Sequence, residues 1–154
     1  MNATQRILKR LGESSFWRVT GRLHAALYRW TGGRVGHAAG HLTNLLLTTT
    51  GRKSGEPRTM PLTYFRDDAR YVLVASNGGS DRDPAWWRNL KRTPRATVQV
   101  RDQRFEVVAR EADAAERARL WPQLKAQNPF YARYEEITRR QIPVVILEPV
   151  SRCT

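Results

Sequence analysis

The sequence predicts a mainly β domain with peripheral helices (α+β), in which six strands form a mostly antiparallel barrel. Two observations support this fold class. Strand-like segments follow one another through short turns, as in hairpins and meanders. Too few helical segments lie between the strands for a parallel sheet, because each parallel crossover usually needs a helix. The 154 residues suit one such domain, since a domain of this size buries roughly 70% of its unfolded surface.

Residues 1–40 predict a basic, amphipathic helical leader. Apolar residues recur mostly at three- or four-residue spacing over residues 4–30, which is the period of a helix. Basic residues occupy the other side, and residues 1–34 carry seven Lys or Arg against one Glu. Such a helix either packs its apolar face on the domain or lies along an anionic membrane surface, and both alternatives stay open.

Residues 41–150 predict the barrel domain, and residues 151–154 form a short tail. Apolar and β-branched residues mark the strands, and Gly, Asp and Asn mark the turns between them. The first three strands form a meander with a tight turn at Asp67–Asp68, and the next two form a hairpin. The predicted strands are residues 44–50, 57–66, 71–76, 95–101, 104–110 and 143–148.

Three helical segments interrupt the strands. The first is predicted to begin at Pro84 with Asp83 as its cap, and to end near residue 92. An Asp-x-x-Glu pattern at residues 113–116 is typical of a capping box and starts a second helix through residue 125. A broken helical segment follows over residues 129–140. The helices are therefore expected on the outside of the barrel.

The composition predicts an anionic partner. Lys and Arg number 27 against 14 Asp and Glu, which gives a net charge of +13 and a sequence pI near 11.1. Nucleic acid, an anionic membrane surface and a multiply charged small molecule all fit this charge. The aromatic residues are dispersed and no base-reading motif is present, so no nucleic-acid partner is expected.

Cysteine, histidine and hydropathy exclude several other classes. Cys153 is the only cysteine, so the chain forms no internal disulfide and no thiolate metal cluster. The three histidines have no Cys or paired carboxylate at ligand spacing, and no metal site is predicted. No apolar run reaches the roughly 18 residues of a spanning helix, and no signal peptide is present. A cytoplasmic location is expected.

Two glycine-containing loops are candidate binding sites. The hairpin Thr48–Gly55, continued by Arg58, gathers cations, hydroxyls and two glycines, which are the materials of a phosphate cradle. The alternative is a solvated hairpin tip. The segment Ala75–Gly79 joins a strand to a helix, and its glycines allow a planar ligand to approach the backbone. The alternative is a flexible connection.

Two aromatic pairs are also candidates. Trp86 and Trp87 are adjacent on a short helix and cannot both face one way, so one is expected in the core and the other in a pocket wall. Tyr131 and Tyr134 stand three residues apart and share a helical face. Paired phenols can close a pocket or donate a proton, although such pairs are also common in cores.

The order of these motifs closely resembles the deazaflavin-dependent nitroreductase family, within the split β-barrel flavin and deazaflavin oxidoreductases. The resemblance covers about Leu45 to Pro149. The matching segments are Leu45–Arg58, Pro61–Leu62, Val74–Gly79, Pro84–Leu90, Trp121–Leu124, the region of Tyr131, and Ile142–Val145.

The resemblance implies a split β-barrel, similar to FMN-binding barrels, that binds the deazaflavin coenzyme F420 in a groove. It also implies an oxidoreductase that transfers hydride from reduced F420 to a small electron-poor acceptor. The acceptor classes are quinones, nitro compounds and activated unsaturated compounds. Because quinones lie in membranes, the basic leader is expected to hold the protein peripherally at the inner face of the cell membrane.

Family positions imply roles for individual residues. Arg52, Lys53 and Arg58 are expected to bind the phosphate and the oligoglutamate tail of F420. The ring edge is expected to contact Ala75, Ser76, Asn77 and Gly78. The strand segment Leu62, Thr63 and Tyr64 passes beneath the ring, and Trp87 and Asn89 line the groove. The candidate catalytic residues are Tyr131, Tyr134 and Ser76, with the tyrosines positioning the acceptor and supplying a proton.

Two departures from the family limit what it implies. Some members have tyrosines where this chain has Asn128 and Thr63, so activity on nitroimidazoles is not carried over. Three alternatives stay open: an FMN-dependent oxidoreductase of the same barrel type, a non-catalytic cofactor carrier, and a basic nucleic-acid-binding module. A homodimer also stays open.

Overall fold

The computed structural model of the protein describes residues 38–39 and 42–150. The helix predicted over residues 4–30 and the tail lie outside the described residues, whereas Ala38–Ala39, at the end of the predicted leader, form a short strand. The strands of the described part are β1 (Ala38–Ala39), β2 (Leu42–Thr50), β3 (Pro57–Asp67), β4 (Arg70–Val74), β5 (Arg95–Val100), β6 (Gln103–Glu111) and β7 (Val144–Pro149). The helices are α1 (Ala85–Arg92), α2 (Ala114–Gln127) and α3 (Phe130–Ile137), and a 3-10 turn spans Asn77–Gly79.

The strands close into an antiparallel barrel. They pair in the order β1-β2-β3-β4-β7-β6-β5, and a further pairing of β2 with β5 joins the two ends. Leu47 of β2 stands opposite Val98 of β5 at this closure. Within the described residues, six strands form the barrel, and the two-residue β1 pairs with the first two residues of β2. The predicted six-stranded antiparallel barrel is therefore confirmed.

Alternation along the strands produces two cores. Successive side chains of a strand point to opposite faces. In β4, Tyr71 and Leu73 point into the barrel, whereas Val72 points outward. The inner core is completed by α1, which closes one end of the barrel with Trp86, Trp87 and Leu90. The outer face of β4 and β7 is covered by α2 and α3, through residues that include Leu120, Trp121, Leu124 and Tyr131.

The capping box of α2 is confirmed. The backbone N–H of Glu116 donates to Asp113 Oδ1 at 2.8 Å, and the backbone N–H of Asp113 donates to Glu116 Oε2 at 3.0 Å. Two amide donors that the helix cannot use internally are satisfied in this way. No helix among the described residues is long and apolar enough to cross a membrane.

The predicted cap of α1 is wrong. The helix begins at Ala85, with Pro84 at the N-cap and no side-chain cap. Asp83 lies one residue too early to cap, and its carboxylate instead accepts from Lys91 Nζ at 2.6 Å and from Arg140 Nη1 at 3.0 Å. Ion pairs with distant residues thus take the place of the local cap.

The predicted turn at Asp67–Asp68 is displaced by one residue. Asp67 is the last residue of β3 and pairs with Arg70, and the chain turns at Asp68, whose φ is 53°. The Asp67 side chain is buried and accepts from Arg119 Nη1 at 2.8 Å and Nη2 at 2.9 Å. These hydrogen bonds hold Asp67 in the strand and hold the pKa of its carboxyl below the usual value.

Candidate functional site

The hairpin between β2 and β3 is a compact turn whose backbone bonds fix its shape. The N–H of Gly51 donates to the carbonyl of Glu56 at 2.8 Å, and the N–H of Gly55 donates to the carbonyl of Gly51 at 2.7 Å. A Cβ at Gly51 would lie 2.9 Å from Ser54 Oγ and 3.0 Å from the Glu56 carbonyl oxygen. Gly55 has a φ of +72°, which glycine adopts without strain. Both glycines are therefore required by the turn.

Asn89 of α1 connects the helix to this hairpin. Its side chain is 4% exposed, and its Oδ1 accepts from the backbone N–H of Arg52 at 3.2 Å and from Arg52 Nη1 at 3.1 Å. Its Nδ2 donates to Thr49 Oγ1 at 3.0 Å. One buried amide thus orients both the backbone and the guanidinium of Arg52.

A cavity of about 310 Å³ lies between the hairpin and α1. That volume falls at the lower end of the range for small-molecule sites. Arg52, Lys53 and Arg58 contribute cations to its lining, whereas Met60 and Trp86 contribute apolar surface. Among the described residues, no carboxylate side chain lines it. The cavity therefore combines a positive field with an aromatic wall, which suits an anionic ligand that carries a ring system.

The strand-to-helix loop has an unusual backbone. After β4 the chain enters the 3-10 turn, where Asn77, Gly78 and Gly79 have φ values of 47°, 62° and 78°. A Cβ at Gly79 would lie 2.6 Å from Ile137 Cδ1 and 3.3 Å from Tyr134 Cα. The loop therefore packs directly on α3, and glycine at position 79 is required by that close approach. The sequence identified the glycines but not their neighbour.

Arg140 braces this loop and was not identified from the sequence. Its Nη2 donates to the carbonyls of Ala75 at 2.8 Å and Ser76 at 3.1 Å, and its Nε donates to the carbonyl of Ser80 at 2.9 Å. Its side chain is 16% exposed, and burial lowers its pKa from the ordinary value. The partners lie 57 to 65 residues earlier in the chain, so no local pattern points to this role.

The two tyrosines lie on one face of α3 but differ in accessibility. Tyr131 is 6% exposed, and its ring packs on Trp121 at a centroid distance of 6.2 Å and on Phe65 at 6.1 Å. Burial raises the pKa of Tyr131 to about 12. Tyr134 is partly buried, and burial also raises its pKa. Its ring stacks on the exposed ring of Phe130, at 6.3 Å.

Several predicted site residues lie apart from the cavity. Trp86 and Trp87 both pack in the inner core and are 4% exposed, and of the two only Trp86 also lines the cavity. Leu62 and Tyr64 pack against the inner core as well. Thr63 points to the opposite face of β3, where its Oγ1 donates to Asn44 Oδ1 at 3.0 Å. Contact of Trp87 and of residues 62–64 with a bound ring remains a prediction.

The buried Tyr131 hydroxyl predicts alkaline destabilisation. Because burial disfavours the tyrosinate, the folded protein keeps this proton to higher pH than the unfolded chain. The resulting contribution, up to about 3 kcal/mol for a shift of two pKa units, is present below about pH 10 and lost as the pH rises towards 12. We expect the urea-unfolding free energy to fall more steeply between about pH 10 and about pH 12 in the wild type than in Tyr131→Phe. Equal slopes would contradict a buried hydroxyl.

The barrel, the cationic cavity and the braced glycine loop define a split-barrel protein built to bind an anionic cofactor. Residues 20–149 match the protein family described as F420H(2)-dependent quinone reductase. The chain belongs to this family. The predicted resemblance is therefore confirmed, and membership implies an oxidoreductase whose cofactor is coenzyme F420.

Individual relatives agree with this assignment. An F420H(2)-dependent quinone reductase of Mycobacterium tuberculosis strain H37Rv is 45% identical over 130 residues, covering 82% of this chain and 87% of the relative. The solved structure of an F420-H2 dependent reductase, FDR-A, is 38% identical with a TM-score of 0.62, covering 71% of this chain and all of the other. A solved domain-swapped dimer is 35% identical with a TM-score of 0.65, covering 88% of this chain and all of the other.

The residues present fit F420. Its tail combines a phosphate with several carboxylates, and the cavity offers three cations with no opposing carboxylate in its described lining. The absence of a Cβ at Gly51 keeps the turn tight against Ser54 and Arg58, so that the hairpin cations stay together. Ser54 Oγ also accepts from Arg58 Nη2 at 3.3 Å, which holds that guanidinium over the turn.

Proposed function

We propose that the protein transfers hydride from reduced F420 to a quinone or to another electron-poor acceptor, such as a nitro compound or an activated unsaturated compound. The observation that supports this function best is the cation-lined cavity between the hairpin and α1, with its aromatic wall. F420, when bound, supplies the hydride from its own reduced ring. The chain's own residues bind the cofactor, orient it and exclude water.

The hairpin cations bind the anionic end of the cofactor. Arg52 is partly buried and oriented by Asn89, so its hydrogen bonds to a phosphate or carboxylate are worth roughly 1.5 to 3 kcal/mol. Lys53 and Arg58 are exposed and contribute less, because water and salt screen them. Asn89 therefore acts as the residue that aims the strongest of the three cations.

The strand-to-helix loop holds the ring. The backbone of Ser76 to Gly78 offers amide groups to a ring edge, and Ser76 adds a hydroxyl. The N–H of Ala75 donates to the carbonyl of Pro143 at 3.0 Å, so Ala75 would contribute by anchoring the start of the loop. The wall beneath the ring is assigned to residues 62–64 and Trp87. Trp87 lies in the inner core and Leu62 and Tyr64 pack against it, whereas Thr63 would contribute only its backbone, because its side chain faces the other side of β3. These assignments follow the family positions and are tested by replacing single residues.

Tyr134 is proposed as the residue that carries the proton for the acceptor. Burial raises its pKa, so its hydroxyl stays protonated at neutral pH and can donate to an acceptor oxygen. Tyr131 lies deeper, and its packing on Trp121 fixes the helix that carries Tyr134. With Ser76 on the neighbouring loop, these tyrosines form the proposed catalytic set.

A direct assay tests the function. Purified protein is mixed anaerobically with reduced F420 and menadione, and the absorbance of oxidised F420 is followed. We expect oxidation that requires both protein and menadione, and that falls in Tyr134→Phe. Oxidation no faster than in the protein-free mixture, although F420 is bound, would contradict the enzyme and indicate a cofactor carrier.

We also propose a cytoplasmic protein held peripherally at the inner membrane face by its basic leader. Residues 1–34 have seven cations against one carboxylate, which favours an anionic lipid surface. In full-length protein, replacing Arg6, Lys9 and Arg10 by Gln is expected to lower the partition constant for phosphatidylglycerol vesicles, measured by co-sedimentation, by roughly 10²-fold, since each cation near such a surface contributes about 1 kcal/mol. Replacing Arg92, Arg101 and Arg104 serves as the charge-matched control. Equal loss in both variants would contradict a role for the leader.

A homodimer is proposed as the assembly. The supporting observation is that one solved relative is a domain-swapped dimer, and its alignment covers 88% of this chain. Light scattering after size exclusion is expected to give twice the chain mass. A mass of one chain at all concentrations would contradict the dimer.

A further inference from the structure

Arg140 is a partly buried cation whose hydrogen bonds go mainly to backbone carbonyls. Three of its donor contacts reach the carbonyls of Ala75, Ser76 and Ser80, and a fourth reaches Asp83 Oδ1 at 3.0 Å. The guanidinium is planar with a fixed fork of donors, so these contacts hold the carbonyls in one arrangement. Arg140 therefore spans the strand-to-helix loop from its first residues to its end.

This loop needs an external brace. Three consecutive residues, Asn77 to Gly79, have positive φ values, and a non-glycine residue in that region is uncommon. Within the loop, the N–H of Gly79 donates to the carbonyl of Ser76 at 2.9 Å, the N–H of Ser80 donates to the carbonyl of Asn77 at 3.1 Å, and Asn77 Nδ2 donates to the carbonyl of Arg82 at 3.0 Å. From outside the loop, Arg140 donates to carbonyls on both sides of the turn, and Thr138 Oγ1 shares the carbonyl of Ser80 at 3.2 Å. Because Arg140 holds carbonyls on both sides, it restricts the direction in which the intervening amides point.

Arg140 also connects the loop to the cationic cavity. Asp83, which accepts from Arg140, accepts from Lys91 of α1 at 2.6 Å. The same helix carries Asn89, which orients Arg52 on the hairpin. Side-chain contacts and the short helix α1 thus connect the loop to the cavity. An elongated ligand would contact the loop at one end and the hairpin at the other, and these two segments are fixed relative to each other.

We infer that Arg140 is a positioning residue for the cofactor ring: it touches no reacting atom, but holds the loop of Ala75–Gly79 in the arrangement that receives the ring. The inference rests on the proposed function, because that function assigns the ring to this loop. Loss of Arg140 then weakens binding of the ring while leaving the contribution of the hairpin cations intact.

The test compares two ligands and a matched control residue. The ligands are F420 and FO, which has the ring and ribityl chain of F420 but lacks the phosphate and the glutamate tail. Arg117 is the control, because it is also a partly buried arginine that donates to a carbonyl, that of Ile142, and packs on Trp121 at 4.7 Å rather than on the loop. Binding is measured by fluorescence titration, and amide exchange of residues 77–80 by mass spectrometry.

Arg140→Met is expected to raise the Kd for FO and for F420 by the same factor, about tenfold, because the loop without Arg140 must be ordered when the ring binds. Amide exchange at residues 77–80 should become faster, and Arg140→Lys should restore part of the affinity. Arg117→Met should lower the Tm yet change both Kd values less than about twofold, because its partner lies outside the loop.

Two results would overturn the inference. Unchanged Kd values in Arg140→Met would show that Arg140 is not needed for ring binding, and equal losses in Arg117→Met would show a general effect of stability. Should Arg140→Met not fold, Arg140→Gln supplies the same comparison. Wild-type protein that binds neither F420 nor FO would instead remove the proposed function itself, so the two failures are distinguishable.

Discussion

Replacing Arg52 and Lys53 together by glutamine is expected to raise the Kd for F420 by about 10²-fold, with little change in the Kd for FO. Arg52 is partly buried and bound to Asn89, so its loss costs roughly 1.5 to 3 kcal/mol, whereas the exposed Lys53 adds up to about 1 kcal/mol. Because FO has no anionic tail, its Kd should be nearly the same in the wild type and in the double variant. The salt dependence of F420 binding should fall as well, because fewer screened charges take part.

The matched control removes two cations at the opposite end of the barrel. Arg101 and Arg104 lie at the β5–β6 turn, and the antiparallel register of β2 with β5 places that turn away from the β2–β3 hairpin. Their replacement by glutamine lowers the net charge equally and should change the Kd for F420 less than about threefold, since charges separated by more than about 10 Å are largely screened. Equal weakening in both double variants would mean that net charge, rather than the hairpin, binds the cofactor.

Replacing Asn89 by leucine is expected to lower both stability and affinity. The variant leaves Thr49 Oγ1, the N–H of Arg52 and its guanidinium without their buried partner, which should reduce the free energy of unfolding by about 2 to 4 kcal/mol. Because Arg52 is then no longer aimed at the cavity, the Kd for F420 should rise at least about tenfold, the equivalent of 1.4 kcal/mol. Urea unfolding and fluorescence titration measure the two effects.

Asn128 provides the comparison for Asn89. It is also a buried asparagine, and its Oδ1 accepts from the backbone N–H of Phe130 at 3.2 Å, between α2 and α3. Asn128→Leu should lower stability while leaving the Kd for F420 within about twofold of the wild type, since it makes no contact with the hairpin. If both variants kept full affinity, the cavity beside Asn89 would not be where the anionic tail binds.

The barrel could be predicted because strand signals are local. Continuous apolar runs, such as those of β4 and β7, are typical of strands that are buried on both faces, and turn residues separate the strands. The exact limits of elements were less predictable where distant residues compete with local rules. Asp83 has the sequence of a cap but pairs with Arg140 and Lys91, and Asp67 has the sequence of a turn but is held in its strand by Arg119.

The candidate site also has a part that local sequence predicts and a part that depends on distant residues. The hairpin cations lie close together in the chain, so their grouping was visible in the sequence, and Arg52, Lys53 and Arg58 all line the cavity. The choice between Trp86 and Trp87 depends on how α1 rotates against the barrel, which no local pattern specifies. The role of Arg140 depends on partners that are at least 57 residues away in the chain, so it became visible only in the folded structure.

The central claim is that this barrel binds F420 through a ring loop and a separate cationic hairpin. The most direct test is a parallel titration of the full-length protein with oxidised F420, FO and FMN, followed by fluorescence. We expect F420 to bind most tightly, because it alone provides both the deazaflavin ring and the multiply charged tail, and FMN to bind most weakly. FMN binding tighter than F420, or equal binding of F420 and FO, would contradict the account.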